Sequence, residues 1–428
     1  MVPSETKLCS EANALEEQAD RHFQCGGFHQ ALECQLQAAS LRGFAGDKIG
    51  EANVWQSIGL IQLLMKNHAE ALDAYQQALR GRIDAKDLHG QAVTLGRMGE
   101  VHQSLGNHAN AVEVLARAIA LFARVNGSEE IGIALNNMAV SFREMGKSDD
   151  AKRCYERSLE LRRQANYFQG IAVTLHNLSV IYANDKNLHK AHELLKQALF
   201  IQEHIEDRRG ITKTLLRLGM MYDDLRQSQP AIAYLERALS NSCNPDTRSL
   251  EDEVTALYCL GNVARSDGDA TRALAFFQRA QAIATACPNP VRDSMLHYSL
   301  GRAYAVLDNV KKALHHFARA SRIQKGLQDR RRLATTFVAM GEVLSQCNKP
   351  KQARKVLNLA LEILLETSMH KEQRQTRLLL AQACAALGLI AEAEHHYRYV
   401  ERLTPKRPVQ KEPRRAVYFP SKRLTLDA

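Results

Sequence analysis

Apolar residues recur along this chain at spacings of three and four, the pattern of helices that bury one face. The stretch Glu51-Ala-Asn-Val-Trp-Gln-Ser-Ile-Gly-Leu-Ile-Gln-Leu-Leu predicts one helix. Lys66-Asn67-His68 predicts a turn, and Ala69 to about Ala85 a second helix. Gly106-Asn107, Gly146-Lys147 and Gly268-Asp269 mark the same turn elsewhere, where glycine accepts a positive φ after a helix. Pro230 and Pro350 fall at the start of second helices, where the missing N–H costs nothing. A second punctuation, Asp47-Lys-Ile-Gly50, Asp87-Leu-His-Gly90 and Asp207-Arg-Arg-Gly210, separates one helix pair from the next. No alternation of the β-strand kind competes with this reading.

The helix pairs repeat in a fixed frame. Ala31, Ala71, Ala111, Ala151, Ala191, Ala231, Ala273, Ala313, Ala353 and Ala393 lie 40 residues apart, except for one step of 42. Twelve residues before each comes a small residue: Ala19, Gly59, Gly99, Ala139, Ser179, Gly219, Gly261, Gly301, Gly341 and Ala381. Seven residues after it comes a third, from Ala38 to Ala360, broken only by Val400. Large residues such as Tyr75, Tyr155, Phe277, Phe317 and Tyr397 stand four places after the alanine. Small residues let two helices approach where they cross, and large ones fill the space beside the crossing. A period of this length predicts stacked supersecondary units that share one continuous core and present an extended binding surface.

This small–small–large–small pattern over roughly residues 12–403 resembles the tetratricopeptide repeat (TPR). The resemblance implies an all-α chain, a right-handed α-solenoid of about ten helix-turn-helix repeats. The 40-residue unit and the triplet Leu260-Gly261-Asn262 are similar to the Leu-Gly-Asn subclass, which includes the Pins-type modulators of G-protein signalling. The Asp-Gln-Arg core of their Gα-binding motifs is missing from this chain, so that role has little support. Kinesin light chains and bacterial peptide-sensing regulators carry long units of the same kind, and the subclass selects no pathway.

The expected organisation is an N-terminal extension (1–11), repeats one to six (12–240), an irregular linker (241–250), repeats seven to ten (251–403) and a tail (404–428). The linker holds the two extra residues, and Pro288 and Pro290 stiffen the next link. The tail contains Pro405, Pro408, Pro413 and Pro420, which stop a helix. It also carries seven basic residues against Glu412 and Asp427, half of the chain's net charge of +10. It reads either as a solvated, disordered terminus or as a handle for an acidic partner or anionic surface, with Val417-Tyr418-Phe419 as an apolar anchor. The rest of the chain has no charge asymmetry, which argues against nucleic acid as the primary ligand. At the first repeat, Gln18, His22 and Gln35 replace apolar residues and are expected to form a polar outer face. The far end keeps Tyr397, Val400 and Leu403, and is expected to be completed by a partner, a second copy or the tail.

No leader and no run of eighteen apolar residues is visible, so a cytoplasmic chain without membrane spans is expected. The nine cysteines are scattered without a Cys-x-x-Cys pair and read as small hydrophobes rather than disulfides. There is no phosphate loop, no Gly-x-Ser-x-Gly and no His-Glu-x-x-His, so no enzyme and no cofactor are expected. The pairs His315-His316 and His395-His396 do not supply the converging ligands that a metal needs.

The first helix of each repeat lines the concave face in TPR proteins. On that helix, the residues just before the consensus apolar position include Arg97, Asn137, Asn177 and Arg217, with Asn136, His176 and Arg143 beside them. Asparagine amides can pair with an extended peptide backbone, and arginine can clamp a carboxylate. These seven residues are the expected peptide-binding set. Alternatively, the asparagines bond neighbouring helices and the arginines pair with Glu100, Glu144 or Asp223. The function expected is a non-enzymatic adaptor for an extended segment of a partner protein. The alternatives are a regulator whose curvature changes on binding a signalling peptide, and a regulatory subunit of a larger enzyme or motor.

Overall fold

A computed structural model describes residues 5–245, 248–367 and 369–403. The 404–428 tail, with its basic cluster and apolar anchor, lies outside the described residues. The chain divides into two compact units, Met1–Cys259 and Leu260–Ala428.

The first unit is built from antiparallel pairs. They are α1 (Glu5–Gln24) with α2 (Phe28–Ala45), α3 (Lys48–Leu64) with α4 (His68–Asp84), and α5 (Leu88–Ser104) with α6 (His108–Arg124). Next come α7 (Ser128–Glu144) with α8 (Ser148–Gln164), α9 (Phe168–Asn184) with α10 (Leu188–His204), and α11 (Arg208–Asp224) with α12 (Ser228–Ser242). The unit boundary falls inside α13 (Leu250–Ser266). The second unit continues with α14 (Ala270–Ala284), α15 (Pro290–Val306), α16 (Val310–Gly326) and α17 (Arg330–Gln346). It ends with α18 (Pro350–Leu365), α19 (His370–Ala386) and α20 (Ile390–Leu403). Every described regular element is helical.

The frame seen in the sequence has a finer period inside it. From α3 to α11 each helix has 17 residues and a three-residue turn follows. The middle turn residue has positive φ at twenty-residue steps: Gly26, Gly46, Lys66, Lys86, Gly106, Asn126, Gly146, Asn166, Lys186, Glu206 and Arg226. At Lys66 the N–H bonds the Leu63 carbonyl and the next N–H, of Asn67, bonds the Gln62 carbonyl (3.0 and 2.9 Å). This left-handed stop satisfies the last carbonyls of one helix, and Asn67 starts the next. The Asp-x-x-Gly motif lies between repeats, as expected, and there it also starts the next helix. The Asp47, Asp87 and Asp207 carboxylates accept from the amides of Gly50, Gly90 and Gly210 at 2.8–3.0 Å, which caps α3, α5 and α11.

The small residues sit where the pattern requires. The frame alanines are buried, all but Ala393 completely, and where the small residue of the partner helix is glycine the large residue four places later packs against it. A Cβ on Gly59 would stand 2.7 Å from the Tyr75 ring, and one on Gly219 2.5 Å from Leu235. Buried polar side chains add a second link between repeats. Arg82, at the end of α4, donates to Asn53 and Gln56 of α3 in its own pair (3.0 and 2.9 Å) and reaches the next repeat through Asp87, the cap of α5. Arg162 takes the equivalent place and donates to the Gly170 carbonyl and the Thr174 hydroxyl (2.6 and 2.7 Å). Burial pushes both guanidinium pKa values down.

One end differs from expectation. Gln35 is buried at 4% exposure, because its position, that of Tyr75 one repeat later, faces inward. Only Gln18 and His22 of the expected polar face reach solvent.

Candidate peptide-binding face

In the first unit, consecutive odd-numbered helices touch: α5 meets α7, α7 meets α9 and α9 meets α11. No pair among α6, α8, α10 and α12 is comparably close. The unit therefore curls with its odd-numbered helices inside. All seven expected site residues lie on these inner helices: Arg97 on α5, Asn136, Asn137 and Arg143 on α7, His176 and Asn177 on α9, and Arg217 on α11.

Three of them form a chain of amides. Asn177 Nδ2 donates to Asn136 Oδ1 at 3.2 Å across the α9–α7 contact, and Asn136 Nδ2 approaches Asn137 Oδ1 at 3.4 Å. Asn136 is buried, while Asn137 and Asn177 are half-buried. Gln103 reaches across from α5 and donates to the Asn137 carbonyl and Ser141 hydroxyl (2.5 and 2.8 Å). Sequence reasoning missed Gln103, which lies off the scanned row, six residues beyond Arg97 on the same helix.

The charged members differ among themselves. Arg97 is exposed and turns to Glu100 on its own helix (3.0 Å), which holds its pKa above the usual value. Arg143 pairs with Glu144 at 2.7 Å. Arg217 is half-buried and makes no ion pair among the described residues. Its pKa is pushed down by burial and by Arg143, against the attraction of Asp224. His176 is pushed down to about 4 by burial, then by the charges of Arg217, Lys213 and Arg143. Its Nδ1 lies 3.4 Å from the Thr214 hydroxyl of α11. The amides of Asn136, Asn137 and Asn177 are thus linked, and His176 lies in the field of Arg217 and Arg143, whose charges Asp224 and Glu144 partly offset, while Arg97 is held by Glu100. Lys213 belongs to the same field and was also missed; it sits one helical turn before Arg217, a spacing that could have found it.

Among the described residues no three His, Cys, Asp or Glu side chains come together to hold a metal ion, and no helix is long and apolar enough to cross a membrane.

Several solved structures share the fold. The apo form of RapI matches at 14% identity, over 64% of this chain and 99% of that one, with a TM-score of 0.53. A Rap protein complexed with Competence and Sporulation Factor matches at 16% identity, over 82% and 97%, with a TM-score of 0.50. A STAND (signal transduction ATPase) protein with a tetratricopeptide repeat sensor, from Pyrococcus horikoshii, matches at 15% identity, over 78% and 53%, with a TM-score of 0.57. At these identities the likeness speaks for the fold alone. No curated protein matches the chain. The tetratricopeptide repeat model matches residues 10–84, 90–164, 170–243 and 252–326, well over half of the sequence. The chain belongs to the tetratricopeptide repeat family, whose repeats are scaffolds for protein interaction.

Proposed function

We propose that the chain is a non-enzymatic adaptor that holds an extended segment of a partner protein along the inner helices α5 to α11. Arg217 carries this reading. A half-buried guanidinium without an ion pair loses hydration, and the attraction of Asp224 does not make up for that loss. Lys213 adds to the positive field, and Arg143 does so beside its partner Glu144. A carboxylate of a bound segment supplies the missing charge, and a guanidinium binds it in a bidentate manner. Beside it, the amides of Asn137 and Asn177 keep hydrogen-bonding capacity beyond the contacts described, and an extended backbone uses donor and acceptor together.

The test is affinity capture with the full chain and with Asn137→Ala/Asn177→Ala, followed by mass spectrometry and titration of the captured partner. Binding should weaken at least tenfold in the double variant, with helicity by circular dichroism retained, because leaving the buried Asn136 without its Asn177 partner costs roughly 1–3 kcal/mol and touches no backbone hydrogen bond. Equal affinity of both chains for every captured protein would remove this face from consideration.

A further inference from the structure

The curl of the first unit has an outer side, and one groove there departs from the repeat. Between α8 and α10, over α9, lies an open cavity of about 400 Å³. Its floor is Ile171 and Leu175, both buried. Its walls are Phe168 and Phe200, which are 50% and 72% exposed. Arg163 and Lys196 stand at its rim, and neither makes an ion pair among the described residues. No carboxylate lines it.

The cavity itself follows from the architecture. Helices that touch on the inside splay on the outside, and a groove of the same register, about 380 Å³, recurs between α14 and α16 over α15. The aromatic lining does not follow from it. At the position of Phe200 the other repeats carry Ser40, Arg80, Ala120, Glu160, Ser240, Ala282, Arg322, Glu362 and Arg402. In the α14–α16 groove, Pro290 takes the place of Phe168, and Asp293 takes that of the apolar floor residue Ile171. Packing within the repeat therefore does not need a phenylalanine at 200. A ring left 72% in water beside a second exposed ring is the kind of apolar patch that marks a contact surface.

We propose that this outer groove docks a short segment of a partner protein that presents a large apolar side chain next to aspartate or glutamate. The apolar side chain enters between Phe168 and Phe200 onto Ile171 and Leu175. The carboxylates meet Arg163 and Lys196, which make no ion pair among the described residues. The site lies on the opposite side of the unit from the inner amide-lined face, so the two can be occupied independently.

The probe is a random peptide display library, selected in parallel on the full-length chain and on Phe200→Ser, the residue that Ser240 places at this register one repeat later. Peptides enriched only on the unsubstituted chain should carry an aromatic or large aliphatic residue beside Asp or Glu. Synthesised and measured by fluorescence anisotropy, they should bind at least tenfold more weakly to Phe200→Ser and to Lys196→Glu, and with unchanged affinity to Asn137→Ala/Asn177→Ala. Lys196→Glu leaves the apolar lining intact and so separates loss of charge complementarity from any loss of fold. The proposal is overturned if no Phe200-dependent peptide is recovered, if the recovered peptides are basic, or if Lys196→Glu binds them equally well. It is also overturned if light scattering shows self-association that Phe200→Ser abolishes, which would make a second copy the occupant.

Discussion

Lys66, Lys86, Glu206 and Arg226 hold φ near +60°, a conformation in which a Cβ crowds its own carbonyl. The same turn uses glycine at 26, 46, 106 and 146, so the geometry belongs to the turn and not to the side chain. Left-handed backbone costs a non-glycine residue roughly 1–2 kcal/mol, and part of that gain is returned by the greater freedom of glycine in the unfolded chain. Glu206→Gly should therefore raise stability by roughly 0.5–1 kcal/mol, read as a shift of the urea midpoint. Removal of a carboxylate from the C-terminal end of α10 acts in the same direction. A midpoint that falls would mean that Glu206 makes a compensating contact. These turns explain part of what the sequence hid. Where glycine stood in the turn, the stop was legible. Where lysine, glutamate or arginine stood there, the residue itself gave no sign of the positive φ, and only neighbours such as Asn67, Asp87 and Asp207 marked the turn, because the helices on both sides impose the conformation. Gln35 was misread for a related reason: a polar residue in a core register looks like surface until the partner helix is placed against it.

At the scale of the element, the repeat is a matter of fit between one small and one large residue. Gly219 on α11 faces Leu235 on α12, and any side chain there collides with it. Ala191 on α10 is fully buried at its own crossing. Gly219→Val or Ala191→Leu should lower stability by roughly 1–3 kcal/mol or more, through overpacking. Unchanged melting temperatures for both variants would mean that the small residues do not set the helix separation. This layer was readable because volume constraints leave a periodic trace: the alanines and glycines mark the crossings in every repeat. The candidate site was readable only in part. Periodicity placed Asn137, Asn177 and Arg217 on one face. It could not tell that Asn136 would be buried as the link between two amides, or that Glu100 would draw Arg97 aside. Those outcomes depend on side-chain rotamers and local charge, which carry no period. The last described helix, α20, departs from the apolar pattern. At two positions where Leu72 and Leu79 pack toward the following repeat, α20 carries Glu394 and Glu401, and Glu394 pairs with Arg398 at 2.7 Å.

At the scale of the molecule, each unit holds one histidine whose pKa lies near 4. In the first unit it is His176, and in the second His316. Burial is the main cause at His316, followed by the charges of His297, His315, Arg319 and Lys312. Its Nδ1 lies 2.9 Å from His297 Nδ1, so one ring donates while the other accepts, and protonation of both breaks the bond. The neutral form is favoured in the folded chain, whereas the unfolded histidine titrates near the ordinary value of 6.5. Above 6.5 neither state binds the proton and stability is complete. Between 6.5 and 4 the unfolded chain takes up a proton that the folded chain refuses, so stability falls with pH. Below 4 both states are protonated and this loss levels off. The effect should be on the order of 2 kcal/mol at most for His316, once partial exposure is discounted. His316→Phe keeps a ring against Tyr304, which stacks on it at 5.5 Å, and removes the proton site. The melting temperature of the unsubstituted chain should drop between pH 7 and pH 5, and that of His316→Phe should drop less. Carboxylates titrate mainly below this window and contribute equally to both chains. Identical slopes for the two would mean that the His297–His316 pair admits a second proton without opening, and that the pH sensitivity of the second unit lies elsewhere.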